Sequence, residues 1–218
     1  MNILQIFSTP IWESSLPNFQ DHKDNFIEAA KLFKEEFPEG SRANFIQNSY
    51  QSLPILTRNP VFGPLFEYVC QLGMKAAFDL QFMPSNPVVT SAWVNFQDSS
   101  KAMLLDHVHS ENSIFSGVFY LQVPENSGKL AFTNPGLNQM WIGLNMVENK
   151  NKFTSERLQI TPVEGSIFLW PSYLPHRTLP NDHNDSRISI SFNLLMLPKM
   201  QMQGDPSQQQ TSQALGGQ

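Results

Sequence analysis

Arg187-Ile188-Ser189-Ile190-Ser191-Phe192-Asn193-Leu194 alternates polar and large apolar side chains without a break. A period of two is the mark of a β-strand whose two faces differ. Trp93-Val94-Asn95-Phe96-Gln97 runs in the same phase. Two meanings are open for the polar face. It meets water, as on many antiparallel sheets, or it lines the inside of a barrel; the alternation alone does not choose. Working outward, Val88–Gln97, Ala102–His109, Ile114–Val123, Lys129–Thr133, Gln139–Met146, Arg157–Val163, Ser166–Trp170 and Arg187–Leu197 all read as strands. Turn formers such as Glu125-Asn126-Ser127-Gly128 and Asn134-Pro135-Gly136 separate them.

Before Pro87 the texture differs. Ile3 to Trp12 reads as a first strand, with Pro10 suggesting a sheet edge. Asn18 is a candidate N-cap with Asp21 at N3, and Phe26, Ala29, Ala30, Phe33 and Phe37 then recur at helical spacing. Pro38-Glu39-Gly40 ends that helix. Asn59 followed by Pro60 starts a second helix toward Leu80. Ser41 to Thr57 shows no period and reads as irregular. About eight strands after two helices predict a mainly β fold, a double-sheet jelly roll with helices packed outside. Residues 1–200 are expected to form a single domain, 1–86 supplying the strand and helices and 87–200 the β core. The tail from Gln201 is rich in Gln, Gly and Ser and is expected to be disordered.

Composition narrows the class of function. The 218 residues, 40% of them hydrophobic and 17 of them Phe, can bury a sizeable core. A net charge of -5 with no Lys/Arg cluster argues against a nucleic-acid partner, whose binding rests on phosphate neutralisation. No apolar run reaches membrane-span length and no secretory signal stands at the start. The single cysteine, Cys70, suits a reducing compartment. A soluble cytoplasmic protein is the expectation.

The chemistry concentrates in Asp106-His107-Val108-His109-Ser110-Glu111, His176 and Arg187. Of five histidines, three fall here. Side chains at i and i+2 of a strand share a face, so His107 and His109 point the same way, and Glu111 could join them. His176 follows another apolar run, Ile167 to Pro171. Imidazoles and a carboxylate that leave coordination positions open suit non-haem Fe(II). The plain alternative is scattered histidines with unrelated roles. Arg187 follows His176 after ten intervening residues and opens the next strand. Its planar fork can bind a carboxylate bidentately, and Ser189 on the same face can add a hydroxyl.

These residues resemble the Fe(II)/2-oxoglutarate-dependent oxygenases, and within them the prolyl-4-hydroxylase-like bacterial and cyanophage branch. The resemblance covers roughly Val88 to Leu197. It rests on Trp93-Val94-Asn95, His107-Val108-His109, Ser116 to Leu121, Gly165 to Ser172 leading to His176, and Arg187 to Asn193. Phe7 to Trp12 also looks like that branch. It implies a double-stranded β-helix, Fe(II) and 2-oxoglutarate with O2, and hydroxylation of a small-molecule or peptidyl substrate such as a prolyl residue. It also implies His176 as the distal metal ligand, Arg187 as the clamp on the cosubstrate's far carboxylate, Tyr120 and Ser189 as its supports, and Asn95 as a further cosubstrate contact.

The ligand pair departs from the family pattern of His-x-Asp/Glu. His109-Ser110-Glu111 matches it literally. Counting from Asn95 and Tyr120 instead puts His107 at the first histidine and His109 where the acid belongs, with Glu111 the uncertain member. A cupin-type metalloprotein that does not use 2-oxoglutarate also fits the three histidines, but has no need of Arg187. A non-catalytic jelly-roll binding module is the third reading. His22 reads as solvated, His183 as a loop residue, and Trp141 and Trp170 as core, with pocket lining as their alternative.

Overall fold

The computed structural model describes residues 8–83, 85–109, 112–136 and 155–198. Glu111, Trp141, the expected strand Gln139–Met146, the start of the first expected strand and the tail from Gln201 lie outside them. In chain order the first elements are β1 (Trp12–Ser15), α1 (Phe19–Glu36), β2 (Ile46–Gln47), β3 (Tyr50–Gln51) and α2 (Gly63–Asp79). Then come β4 (Ser85–Gln97), β5 (Met103–His107), β6 (Phe115–Gln122) and β7 (Leu130–Thr133). The last four are β8 (Arg157–Ile160), β9 (Ser166–Pro171), β10 (His176–Thr178) and β11 (Arg187–Pro198).

Two antiparallel sheets result, ordered β1-β9-β6-β11-β4-β3 and β2-β5-β10-β7-β8. This is the expected mainly β jelly roll, with two helices against one face. The alternation in β11 explains why. Its even residues Ile188, Ile190, Phe192 and Leu194 are fully buried in one cluster with Val94, Phe96, Phe119 and Leu121 of the neighbouring strands. Phe26, Ala30 and Phe33 of α1 and Leu65, Val69 and Ala76 of α2 complete that cluster. Truncating a buried Phe such as Phe192 to Ala would cost about 3–5 kcal/mol.

The odd face turns inward, so the barrel meaning holds. Val118, Tyr120, Phe168 and Trp170 of the larger sheet meet Leu130, Phe132 and Leu174 between the sheets. The polar residues of that face are mostly bonded within the protein. Asn193 accepts from Ser116 Oγ (2.8 Å) and donates to Ser91 Oγ (3.1 Å), and Ser191 Oγ accepts from Asn95 Nδ2 (3.0 Å).

Several local expectations are corrected. Asn18 does not cap α1 with its side chain: its backbone is left-handed (φ 52°), whereas a capping side chain needs an extended one. Its carbonyl accepts the Asp21 N–H instead (2.9 Å). Asn59 does cap, taking the Val61 N–H at 3.1 Å, but it opens a short 3-10 turn, Pro60–Phe62, before α2 proper. The supposedly irregular segment holds β2 and β3, each two residues long and therefore too short to show a period. Among the described residues the first strand begins at Trp12 and, at a sheet edge, pairs with β9. Among the described residues, no helix is long and apolar enough to cross a membrane.

Candidate metal and cosubstrate site

β5 and β10 are neighbours in the smaller sheet, and their register places His107 directly opposite His176. His109 lies two residues beyond the end of β5, where its backbone N–H is held by the Ser172 carbonyl (3.0 Å). The three rings converge, with centroids 4.3 Å apart for His107–His176, 5.1 Å for His109–His176 and 5.2 Å for His107–His109. One ligand nitrogen from each lies within 4.8 Å of the others, a group that could hold a metal ion.

Backbone carbonyls fix how two of them are presented. Nδ1 of His107 bonds the Leu105 carbonyl (2.7 Å) and Nδ1 of His176 bonds that of Leu174 (3.0 Å). A carbonyl only accepts, so each Nδ1 carries the proton and each Nε2 keeps its lone pair for a metal. Aromatic rings wall the group. Phe45 stacks on His107 at 4.3 Å, Trp93 on His109 at 5.5 Å, and Trp170 meets His176 edge-on at 4.8 Å. Burial pulls all three imidazole pKa values down. His109 falls to about 4, with the neighbouring His107 adding to the shift. His176 falls well below its ordinary value, chiefly through burial and then through His107. His107 falls less freely, because the Leu105 carbonyl and Asp106 oppose the effect of burial. At neutral pH the triad is uncharged and ready to ligate.

The other end of the same cavity is cationic. Arg187, the first residue of β11, is 1% exposed. One terminal nitrogen donates to the Gly128 carbonyl, while its buried Nε has no hydrogen-bond partner among the described residues. No carboxylate pairs with it among those residues. The guanidinium carbon stands 5.6 Å from the centre of the Tyr120 ring, and the fully buried Tyr120 hydroxyl is likewise unpartnered. Burial pushes the Tyr120 phenol up, more than Arg187 draws it down, so it stays a neutral O–H donor. Burial also lowers the Arg187 pKa, yet a guanidinium remains protonated at any ordinary pH.

His107, His109, His176, Arg187, Ser189, Tyr120 and Asn95 all line this one cavity. Sequence reasoning brought those residues to one place. Asn95, however, has its amide engaged at both ends, accepting from Gln51 Nε2 (3.0 Å) and donating to Ser191 Oγ. Gln51 and Thr178 also line the cavity and were missed. Gln51 sits on a two-residue strand that shows no pattern, and Thr178 belongs to β10, a strand of three. Trp170 is both core and lining. His22 stacks on Phe26, and His183 bonds Ser127 Oγ (3.0 Å); neither joins the triad.

Residues 91–193, which include every one of these lining residues except Gln51, match the family described as "Putative 2OG-Fe(II) oxygenase". Over that segment, just under half of the chain, the sequence is similar to the 2OG-Fe(II) oxygenases. Members of this family are enzymes that use Fe(II), 2-oxoglutarate and O2, and this chain shares their fold. A prolyl-4-hydroxylase from Pseudomonas putida superposes with a TM-score of 0.57 at 14% identity, covering 88% of this chain and 94% of that one. A prolyl hydroxylase from Trichoplax adhaerens, solved with a hypoxia inducible factor peptide fragment, gives 0.59 at 13% identity, covering 86% and 83%. HygX from Streptomyces hygroscopicus, solved with nickel, 2-oxoglutarate and hygromycin B, gives 0.56 at 10% identity, covering 88% and 84%. No curated protein sequence matches this chain.

Proposed function

We propose that His107, His109 and His176 hold the Fe(II) of this oxygenase, and that Arg187, with Tyr120 and Ser189, receives the far carboxylate of 2-oxoglutarate. The donor set fits both groups. Three neutral imidazoles are suitable ligands for a first-row divalent metal. The observation that carries the cosubstrate assignment is the buried, unpaired Arg187 guanidinium beside an unpartnered Tyr120 hydroxyl. A buried cation without an anion is strongly unfavourable, and two unmet donors add their own desolvation penalty. An arriving carboxylate would relieve all three.

When bound, Fe(II), 2-oxoglutarate and O2 supply the coupling of decarboxylation to succinate with oxidation of the primary substrate. The protein binds, orients and excludes water. Arg187 neutralises the carboxylate, the neutral Tyr120 phenol donates to it, and Trp93 and Trp170 shield the histidines. The Arg187 end is closed by the core, so the primary substrate enters from the triad side, where His107 and His109 are only half-buried. A peptidyl residue, as in the Trichoplax complex, and a small molecule, as in HygX, both suit that approach. The single Cys70 fits a cytoplasmic setting. The cupin and non-catalytic readings are disfavoured, since neither has a use for a buried Arg187.

Anaerobic addition of Fe(II) and then 2-oxoglutarate to the protein tests the assignment. A weak visible charge-transfer band should appear only when both are present, and admission of air should yield succinate. A protein that binds Fe(II) but gives no band and no 2-oxoglutarate affinity would restore the cupin reading.

A further inference from the structure

Asn181, two residues before the loop residue His183, is 3% exposed and both ends of its amide are used. Its Oδ1 accepts the Gly128 N–H at 2.9 Å, and its Nδ2 donates to the Gln97 carbonyl at 3.0 Å. Those two partners are the immediate neighbours of Arg187. Gln97 is its register partner across β4 and β11, and Gly128 supplies the carbonyl that takes its terminal N–H. One amide therefore ties together the two backbone segments that flank the guanidinium.

The contact between the loops is closer than a side chain would permit. A Cβ on Gly128 would lie 1.9 Å from the Leu179 carbonyl oxygen, so only glycine fits there. Leu179 N–H to the Lys129 carbonyl (2.8 Å), Asp182 N–H to that of Asn126 (3.2 Å) and Ser127 with His183 extend the same seam. A guanidinium is a rigid planar fork. Once one terminal nitrogen is anchored on Gly128, the directions of its remaining N–H groups follow from where that carbonyl sits.

We propose that Asn181 is a positioning residue for the cosubstrate: it holds the Gly128 carbonyl, and through it the orientation of Arg187, for 2-oxoglutarate. This rests on the assignment of Arg187 as the carboxylate clamp. Asn181 does not line the cavity and hydrogen-bonds none of the histidines, so its effect should fall on affinity for the cosubstrate.

The test measures 2-oxoglutarate affinity by anaerobic charge-transfer titration at saturating Fe(II), Fe(II) affinity alone, and succinate formation. It compares wild type, Asn181→Ala, Asn181→Asp, Arg187→Met and the Asn181→Ala/Arg187→Met double variant. Asn181→Ala should weaken 2-oxoglutarate about tenfold, the scale of one buried hydrogen bond, raising KM with kcat within about twofold. Fe(II) affinity should be unchanged. Asn181→Asp, which keeps the acceptor for Gly128 but loses the donor to Gln97, should recover part of the loss and serves as the second variant should the alanine protein fail to fold. In the Arg187→Met background Asn181→Ala should add almost nothing, since the group it positions is gone. Equal losses of Fe(II) and 2-oxoglutarate affinity, or full additivity in the double variant, would mean that Asn181 merely supports the fold and would overturn the proposal. Failure of wild type to bind 2-oxoglutarate would instead strike the clamp assignment itself.

Discussion

The two ends of the cavity solve opposite electrostatic problems. At the triad end burial keeps three imidazoles neutral, and two have their tautomers set by backbone carbonyls. At the other end burial surrounds a charge that cannot neutralise itself. Hiding a histidine from water therefore readies it for a cation, whereas hiding an arginine readies it for an anion. The same desolvation thus makes one site for metal and one for carboxylate. Between them Asn95, Ser191, Asn193 and Ser116 bond one another or their neighbours, whereas Arg187 Nε and the Tyr120 hydroxyl beside it stay unmet among the described residues.

Changes that remove one end and leave the other intact would break this comparison most directly. His176→Ala should abolish stoichiometric Fe(II) binding by calorimetry, because few protein ligands exist and one is lost; unchanged affinity with the fold intact would move the metal elsewhere. His109→Ala should also lose the metal, while Glu111→Ala should keep most of it. The reverse outcome would restore the His-x-Glu register.

At the anionic end, Arg187→Met should weaken 2-oxoglutarate roughly 30- to 1000-fold, corresponding to about 2–4 kcal/mol. Fe(II) affinity should barely change, and Arg187→Lys should recover part of the loss because charge survives without the bidentate fork. Equal cosubstrate affinity in the Met variant would dissolve the division between the two ends.

The triad also sharpens the comparison through pH. Unfolded, His109 takes its proton near 6.5; folded, only near 4. Between those values the unfolded chain binds more protons, so the metal-free fold is fully stable above about pH 6.5 and loses stability as pH falls toward 4. At about 1.4 kcal/mol per pH unit this amounts to roughly 3 kcal/mol. Denaturant unfolding of the metal-free protein between pH 7 and 4.5 should show the slope, and His109→Gln should flatten it. The smallest effect belongs to Tyr120→Phe. Loss of a single neutral donor should weaken 2-oxoglutarate about three- to tenfold, and an unchanged titration would remove Tyr120 from the carboxylate site.

Much of this was legible in the chain. Period two in Arg187–Leu194 and Trp93–Gln97, helical spacing in Phe26–Phe33 and the turn formers dictated two helices followed by a β core, because backbone periodicity is local. His107, His109, His176, Arg187 and Tyr120 were all recognisable as candidates, because their side-chain chemistry is scarce and their spacing is restrictive. Tertiary structure alone decided which face of β11 points inward. An alternating strand is equally stable with its polar side in water or in a cavity, and only the Phe, Leu and Val residues of the two helices claim the even face. It alone put His107 opposite His176, through a strand pairing across 69 residues of chain. It alone gave β2 and β3 their partners and Asn181 its place between Gly128 and Gln97. Contacts of that kind depend on segments distant in sequence meeting in space, and a short stretch of chain has no periodicity with which to announce them.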